Sequence, residues 1–314
     1  MVSEGRVAVA VDVARQDSRR IRSTPLRAVD LLLLAYLGVV SIVAAVRAPS
    51  QPACWWLLLA HALFVVLLFL VTRPGLGPVG RTIRELYPLF LLPGLYSELD
   101  ILNPPGVPVH DALVRHWELL VFGGQISRDW WQAAPSAFWS TLFHAAYLSY
   151  YLIVSAPALY FAWKGDLAAV GRFVLVVMTT FITCYLCFIF FPVAGPYYEF
   201  ARPSAWFIGN LPARLAYEAL ATGSSYGAAF PSSHVAAALA ATLAAMRASR
   251  RLGIVLLIPT TLLTIGVVYC QMHYGVDALA GLAVAGLVTW LVGREKARAG
   301  KAKSASGERE KQPA

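Results

Sequence analysis

Between Ala28 and Val292 the chain returns repeatedly to apolar runs that hold few charges and approach the roughly 20 residues a helix needs to cross a bilayer. Hydrocarbon offers no partner to an unpaired peptide group, so runs of this length have to satisfy their hydrogen bonds internally, as helices. They lack the polar–apolar alternation of a transmembrane barrel. Hydrophobic residues make up 58% of the chain and charged residues 14%, against about 25% charged in soluble domains. The expected fold is all-α, a polytopic transmembrane helical bundle.

Eight crossings are expected. The first two run from Ala28 to Val46 and from Cys54 to Thr72, joined by a short turn, and Arg73-Pro74-Gly75 closes the pair. The third, Leu86 to Leu102, is interrupted by Pro88, Pro93, Glu98 and Asp100 and is expected to be Pro-broken. His110 to Gln132 mixes charge with Trp117, Trp130 and Trp131, which suits an amphipathic segment at the interface. Ala137 to Trp163 and Phe173 to Phe191 follow as crossings. A polar connection of more than thirty residues then leads from Gly195 to Phe230, a length that is uncommon in a connection without a function. The last three crossings are Pro231 to Met246, Leu252 to Gln271 and Tyr274 to Val292.

The net charge of +9 gathers in the N-terminal arm, the short turns and the C-terminal tail. That is the positive-inside distribution, so orientation accounts for it better than a nucleic-acid partner. The chain is expected to divide into a basic cytoplasmic arm (1–27), two N-terminal transmembrane helices (28–85), a membrane catalytic domain (86–292) and a basic cytoplasmic tail (293–314). Both termini are expected in the cytoplasm of a cell with this chain in its plasma membrane. Cys184 and Cys187 lie inside an apolar run, where small apolar packing is expected rather than metal or redox chemistry. No metal and no cofactor is expected.

The polar residues that carry chemistry concentrate between Gly223 and Gly281. His273 and Asp277 stand four residues apart at a helix start. Their side chains therefore share a face, and the carboxylate can hold one ring nitrogen while the other acts as nucleophile or base. A polar pair capping a membrane helix is the plain alternative. His234 follows Pro231, Ser232 and Ser233. Serine hydroxyls and free N–H groups at a helix start favour a phosphate, and a histidine there can protonate a leaving oxygen. Together these residues suit transfer of a phosphoryl group through a histidine-bound intermediate. Arg202 is the first candidate for the cation that meets the phosphate, Arg214 the second, with Arg115 and Arg128 behind them; Tyr269 and Tyr197 are candidate hydroxyl donors.

Ala229-Phe230-Pro231-Ser232-Ser233-His234 and His273-Tyr274-Gly275-Val276-Asp277-Ala278-Leu279-Ala280-Gly281 resemble the second and third signature motifs of the type 2 phosphatidic acid phosphatase superfamily. Phe191 to Pro196, with Phe122-Gly123-Gly124 near Asp111, is similar to its branch related to inositol phosphorylceramide synthase. The resemblance implies a six-helix lipid-phosphatase-like core with extra N-terminal helices. It also implies His273 as nucleophile, Asp277 as its partner, His234 as acid to the leaving group, and Ser232 as a phosphate ligand. Two positions depart from the motifs: Gly266 and Val267 stand where the family has Ser-Arg, and Gly195 stands where it has Lys, although Arg202-Pro203 fits.

The function expected is hydrolysis or transfer of a lipid-linked phosphoester at the extracytoplasmic face, without a metal, leaning to transfer of an inositol phosphate-type head group to a polyol or lipid acceptor. Glu98, Asp111, Glu118 and Tyr147 are candidates for shaping the acceptor site, or are simply polar residues at helix ends. A plain phosphatase for phosphatidic acid or a polyprenyl diphosphate is the first alternative. A non-catalytic lipid-phosphate carrier or scaffold is the second.

Overall fold

The computed structural model describes residues 26–73 and 75–309, with residues 295–309 described by their backbone only. Most of the basic arm (1–25) and the end of the tail (310–314) lie outside the described residues. Among the described residues the regular secondary structure is all helical, apart from one isolated parallel bridge between Val193 and Ala228. It forms two compact units, Met1–Tyr87 and Pro88–Ala314.

In the first unit α1 (Ala28–Arg47) packs against α2 (Ala53–Val71). Ser41 Oγ and His61 Nδ1 meet at 2.7 Å between them, a polar tie of the kind that joins membrane helices. Asp30 is fully buried and accepts from the Arg27 guanidinium at 2.8 Å and from the Tyr87 hydroxyl at 2.7 Å. Arg27 also reaches Glu85 at 2.9 Å. A buried charge is tolerable when it is paired and hydrogen-bonded in this way.

Helix α3 (Pro78–Leu102) passes through both Pro88 and Pro93 without ending. The expectation of a Pro-broken third crossing is thereby corrected. A proline removes one hydrogen bond from the ladder but does not have to stop a helix whose flanking turns pack well. The second unit continues with α4 (Asp111–Phe122), α5 (Ile126–Ala133), α6 (Ala137–Leu148), α7 (Tyr150–Trp163) and α8 (Leu167–Phe190). The long polar connection is not a bare loop. It folds into α9 (Pro196–Glu199), α10 (Ala205–Ile208) and α11 (Leu211–Gly223). Asn210 caps α11 by accepting from the Ala213 N–H at 2.9 Å.

The unit closes with α12 (Ser233–Ala248), α13 (Arg250–Tyr269) and α14 (Gly275–Arg309). Among the described residues six helical stretches are long and apolar enough to cross a membrane: α1, α2, α6 with α7, α8, α13, and Gly275–Arg294 of α14. The protein is a multi-pass membrane protein. Helix α12, with 16 residues, is shorter than a typical crossing, and α3 carries charges near both of its ends.

Helix α12 sits at the centre of the second unit, packed against α7, α8, α13 and α14. The reason is legible in its residues. Ala236, Ala237, Ala238, Ala240, Ala241 and Ala245 are all fully buried, and side chains this small let neighbouring backbones approach closely where hydrocarbon leaves packing as the main attraction. Thr242 and Thr260 link α12 to α13 at 2.7 Å, and the Arg247 guanidinium donates to the Thr289 carbonyl of α14 at 2.7 Å.

Candidate active site

Two helix starts meet at the candidate site. Ser232 is the N-cap of α12, its hydroxyl accepting from the Val235 N–H at 3.4 Å. Pro231 precedes that cap, so the helix begins two residues later than the sequence suggests. The second start is the tight turn between α13 and α14. The N–H groups of Met272 and His273 both donate to the Val267 carbonyl at 2.9 Å, which folds the chain back and presents His273 beside α12. The Ser232 N–H donates to the Asp277 carbonyl at 3.0 Å and joins the two starts directly.

Their histidine rings lie 5.7 Å apart, centroid to centroid. His273 Nδ1 stands 3.4 Å from Asp277 Oδ2, and that oxygen accepts from the Tyr274 N–H at 2.9 Å. Asp277 is fully buried and His273 nearly so. Burial pushes the His273 imidazole down to about 4, opposed by its hydrogen bond to the Ala229 backbone carbonyl. A ring held neutral near pH 7 keeps one nitrogen lone pair available for attack. His234 packs against two tyrosines, Tyr147 at 4.8 Å and Tyr150 at 4.5 Å, and its Nδ1 is buried without a hydrogen-bond partner among the described residues.

Both histidines and Ser233 line a cavity of about 600 Å³. Its lining mixes apolar side chains, among them Leu89, Leu92, Val154 and Phe181, with hydroxyl groups that include Tyr96, Tyr197 and Ser225. That combination suits a ligand with an apolar body and a polar head.

Three buried carboxylates brace the turn that carries His273. Asp111 accepts from the N–H groups of Ala194 and Gly195 at 2.7 and 2.8 Å and from the Tyr274 hydroxyl at 3.0 Å. Glu118 accepts from the Gly275 N–H at 2.7 Å and the Ser127 N–H at 2.9 Å, capping α14 and α5 together. Burial raises the Glu118 carboxyl above its ordinary range, the N–H groups of Ser127 and Gly275 opposing the rise. Asp277 is the third. Of the residues considered for the acceptor site, Asp111 and Glu118 therefore hold backbone, whereas Tyr147 lines the cavity and Glu98 is buried without lining it.

The remaining candidates fall into two groups. Ser232 is fully buried with its hydroxyl on the helix cap, and Tyr269 donates its hydroxyl to the Ala134 carbonyl at 2.7 Å within an aromatic cluster with Phe143 and Phe207. Neither lines the cavity. Arg202 is exposed, and its guanidinium donates at 2.9 Å to the hydroxyl of Tyr197, which does line it. Arg115 pairs with Glu199 at 3.2 Å, Arg128 pairs with Asp129, and Arg214 is exposed on α11.

The departures from the family motifs have local causes. Gly195 holds a φ of +94°, and a Cβ there would come within 2.8 Å of the Ala229 side chain, so a lysine does not fit the turn. Val267 is fully buried. The sequence reading missed Tyr150 and Tyr96 as cavity walls. The cluster of tyrosines at 147, 150 and 151 inside an apolar run was the available signal. Among the described residues no group of three or more His, Cys, Asp and Glu side chains is gathered as metal ligands.

These features define a multi-pass helical membrane bundle with a histidine pair, one member backed by a carboxylate, lining a cavity of mixed apolar and hydroxyl-bearing walls. The family model of the PAP2 superfamily matches residues 113–291, more than half of the chain, and the chain belongs to that superfamily. Membership supports a lipid-phosphatase-type function. No curated protein matches the chain. No solved structure matches it either.

Proposed function

We propose that the protein cleaves or transfers a lipid-linked phosphoester through a phosphohistidine, at the extracytoplasmic face of the plasma membrane, with both termini in the cytoplasm. The observation that carries this reading is His273, backed by Asp277 at 3.4 Å, facing His234 across 5.7 Å between rings, with both histidines lining one cavity. Asp277 keeps the proton on Nδ1 of His273, which leaves Nε2 to attack phosphorus. A P–N bond forms as the P–O bond to the leaving group breaks, and His234, entering the step protonated because the negative charge of the bound phosphate lies beside it, gives that proton to the departing oxygen. Water or an alcohol then attacks phosphorus, His234 takes its proton, and the P–N bond breaks to restore His273. Ser233, the N–H groups at the start of α12 and the Arg202–Tyr197 pair meet the phosphate oxygens, and the lipid chain lies along the wall of Leu89, Leu92 and Phe181.

Transfer of a head-group phosphate to a polyol, as in the inositolphosphotransferase-like branch, is favoured over plain hydrolysis. Gly195, Gly266 and Val267 replace the cations and the serine of the phosphatase motifs, while the cavity has room for more than a phosphate and a water. We propose that no metal takes part. The test uses purified protein in detergent with chelator. Phosphatidic acid, a polyprenyl diphosphate and a phosphoinositide are each supplied with and without inositol, and both free phosphate and new lipid products are followed. A phospho-product without free phosphate is expected. Free phosphate alone, lost in His273→Ala, means a phosphatase; no turnover of any substrate by folded protein refutes the enzyme reading and favours the carrier.

A further inference from the structure

Gln271, two residues before His273, is the non-glycine residue with a left-handed backbone in the described chain, at φ 59°. A residue with a Cβ carries a conformational cost in that region, and such strain persists only where the surroundings hold it. Its surroundings do hold it. The Gln271 side chain is almost fully buried and both ends of its amide are used. Oε1 accepts from the Trp131 indole N–H of α5 at 3.1 Å, and Nε2 donates to the Ala201 carbonyl at 2.8 Å.

Those two bonds reach different elements. Trp131 is anchored against Phe207, at 5.0 Å between rings. Ala201 lies in the stretch after α9 and immediately precedes Arg202, whose guanidinium holds the Tyr197 hydroxyl and stacks over its ring at 5.4 Å. Tyr197 forms part of the cavity wall that also holds His273. A single amide thus ties the turn that carries the nucleophile to the segment that carries the candidate phosphate cation. Neither bond is local in sequence.

Resting on the function proposed above, we infer that Gln271 is a positioning residue that keeps the Arg202–Tyr197 pair in register with His273 and so sets the grip on the substrate phosphate. Asparagine and glycine adopt the left-handed backbone more readily than glutamine does, and neither spans both bonds. Replacing Gln271 by either therefore preserves the turn and removes the tether, which separates a positioning role from a turn-forming one.

The experiment compares Gln271→Gly and Gln271→Asn with the unaltered protein and with Arg202→Ala, in detergent, on whichever lipid phosphoester the unaltered protein turns over. Thermal unfolding reports the fold, and binding of inorganic vanadate as a phosphate probe is measured alongside kinetics. Expected are folded variants with unfolding temperatures modestly below that of the unaltered protein, because the Trp131 indole N–H and the Ala201 carbonyl lose their buried partner, with kcat within about twofold, and KM and the vanadate Kd each raised about tenfold, the effect of one hydrogen bond of ordinary strength. Arg202→Ala should give the same split, and adding it to Gln271→Gly should bring little further loss, because one removes what the other positions. Unchanged KM and Kd, a fall in kcat alone, additive losses, or failure of both Gln271 variants to fold overturns the inference and leaves the function reading standing. Turnover and vanadate binding that persist in His273→Ala overturn the function reading instead.

Discussion

The Ser232 N–H donates to the Asp277 carbonyl across 3.0 Å, so the helix start that carries His234 is bonded to the helix that carries the partner of His273. Contact this close needs a gap on α14, and Gly281 provides it. A Cβ at Gly281 would lie 2.6 Å from the Ser232 carbonyl oxygen and 3.2 Å from the Val235 side chain. Gly281→Val should force the two helices apart, cost about 1–3 kcal/mol as an overpacked core does, and abolish turnover by separating the histidines. Thermal unfolding with activity measured at a permissive temperature checks this; full activity in Gly281→Val would mean that the approach of α12 to α14 does not set the site.

Removing the nucleophile has a different signature. His273→Ala should lower turnover at least about a thousandfold while leaving the unfolding temperature close to that of the unaltered protein. Acid-labile, base-stable labelling by a phosphorus-32 lipid substrate should vanish with it. Label that survives in the variant would move the covalent step to another residue.

Asp277→Asn keeps the shape of the side chain and an oxygen for the Tyr274 N–H, but loses the charge that steadies the imidazole. Turnover should fall about a hundredfold to ten-thousandfold, as when the carboxylate of a histidine–carboxylate pair is neutralised, with KM little changed. A large KM effect at unchanged kcat would instead assign Asp277 to binding.

Glu118 uses one carboxylate oxygen on the Gly275 N–H and the other on the Ser127 N–H. Glutamine offers one acceptor where two are needed and turns an NH₂ group toward a buried N–H. Glu118→Gln should therefore destabilise the fold by about 1–3 kcal/mol, and amide hydrogen exchange should rise first at the beginning of α14. Unchanged exchange there would show that the cap is dispensable.

Tyr147 and Tyr150 hold the His234 ring from two sides. Tyr147→Phe keeps the aromatic face and should leave kcat within about twofold, whereas Tyr147→Ala should lower it about tenfold, in line with the energy of one aromatic contact. Equal losses in both variants would give the Tyr147 hydroxyl the role argued here for its ring.

The sequence by itself determined the helical membrane bundle, because apolar length and the absence of water in hydrocarbon leave a chain with such runs little choice but helix. It also singled out His234, His273 and Asp277. A buried ionisable group is costly enough in an apolar chain to stand out without coordinates. What only the tertiary structure decided was how the other polar residues are used. Asp111 and Glu118 look like free carboxylates in the sequence, yet both are taken up by backbone N–H groups from segments distant in the chain. Tyr269 is two residues from Gln271 and four from His273, but points its hydroxyl at Ala134. Arg202 meets the cavity through Tyr197. These outcomes rest on contacts between residues far apart in the chain. Local periodicity carries no record of them, since a hydrogen bond is formed by whichever donor the packed helices bring within reach.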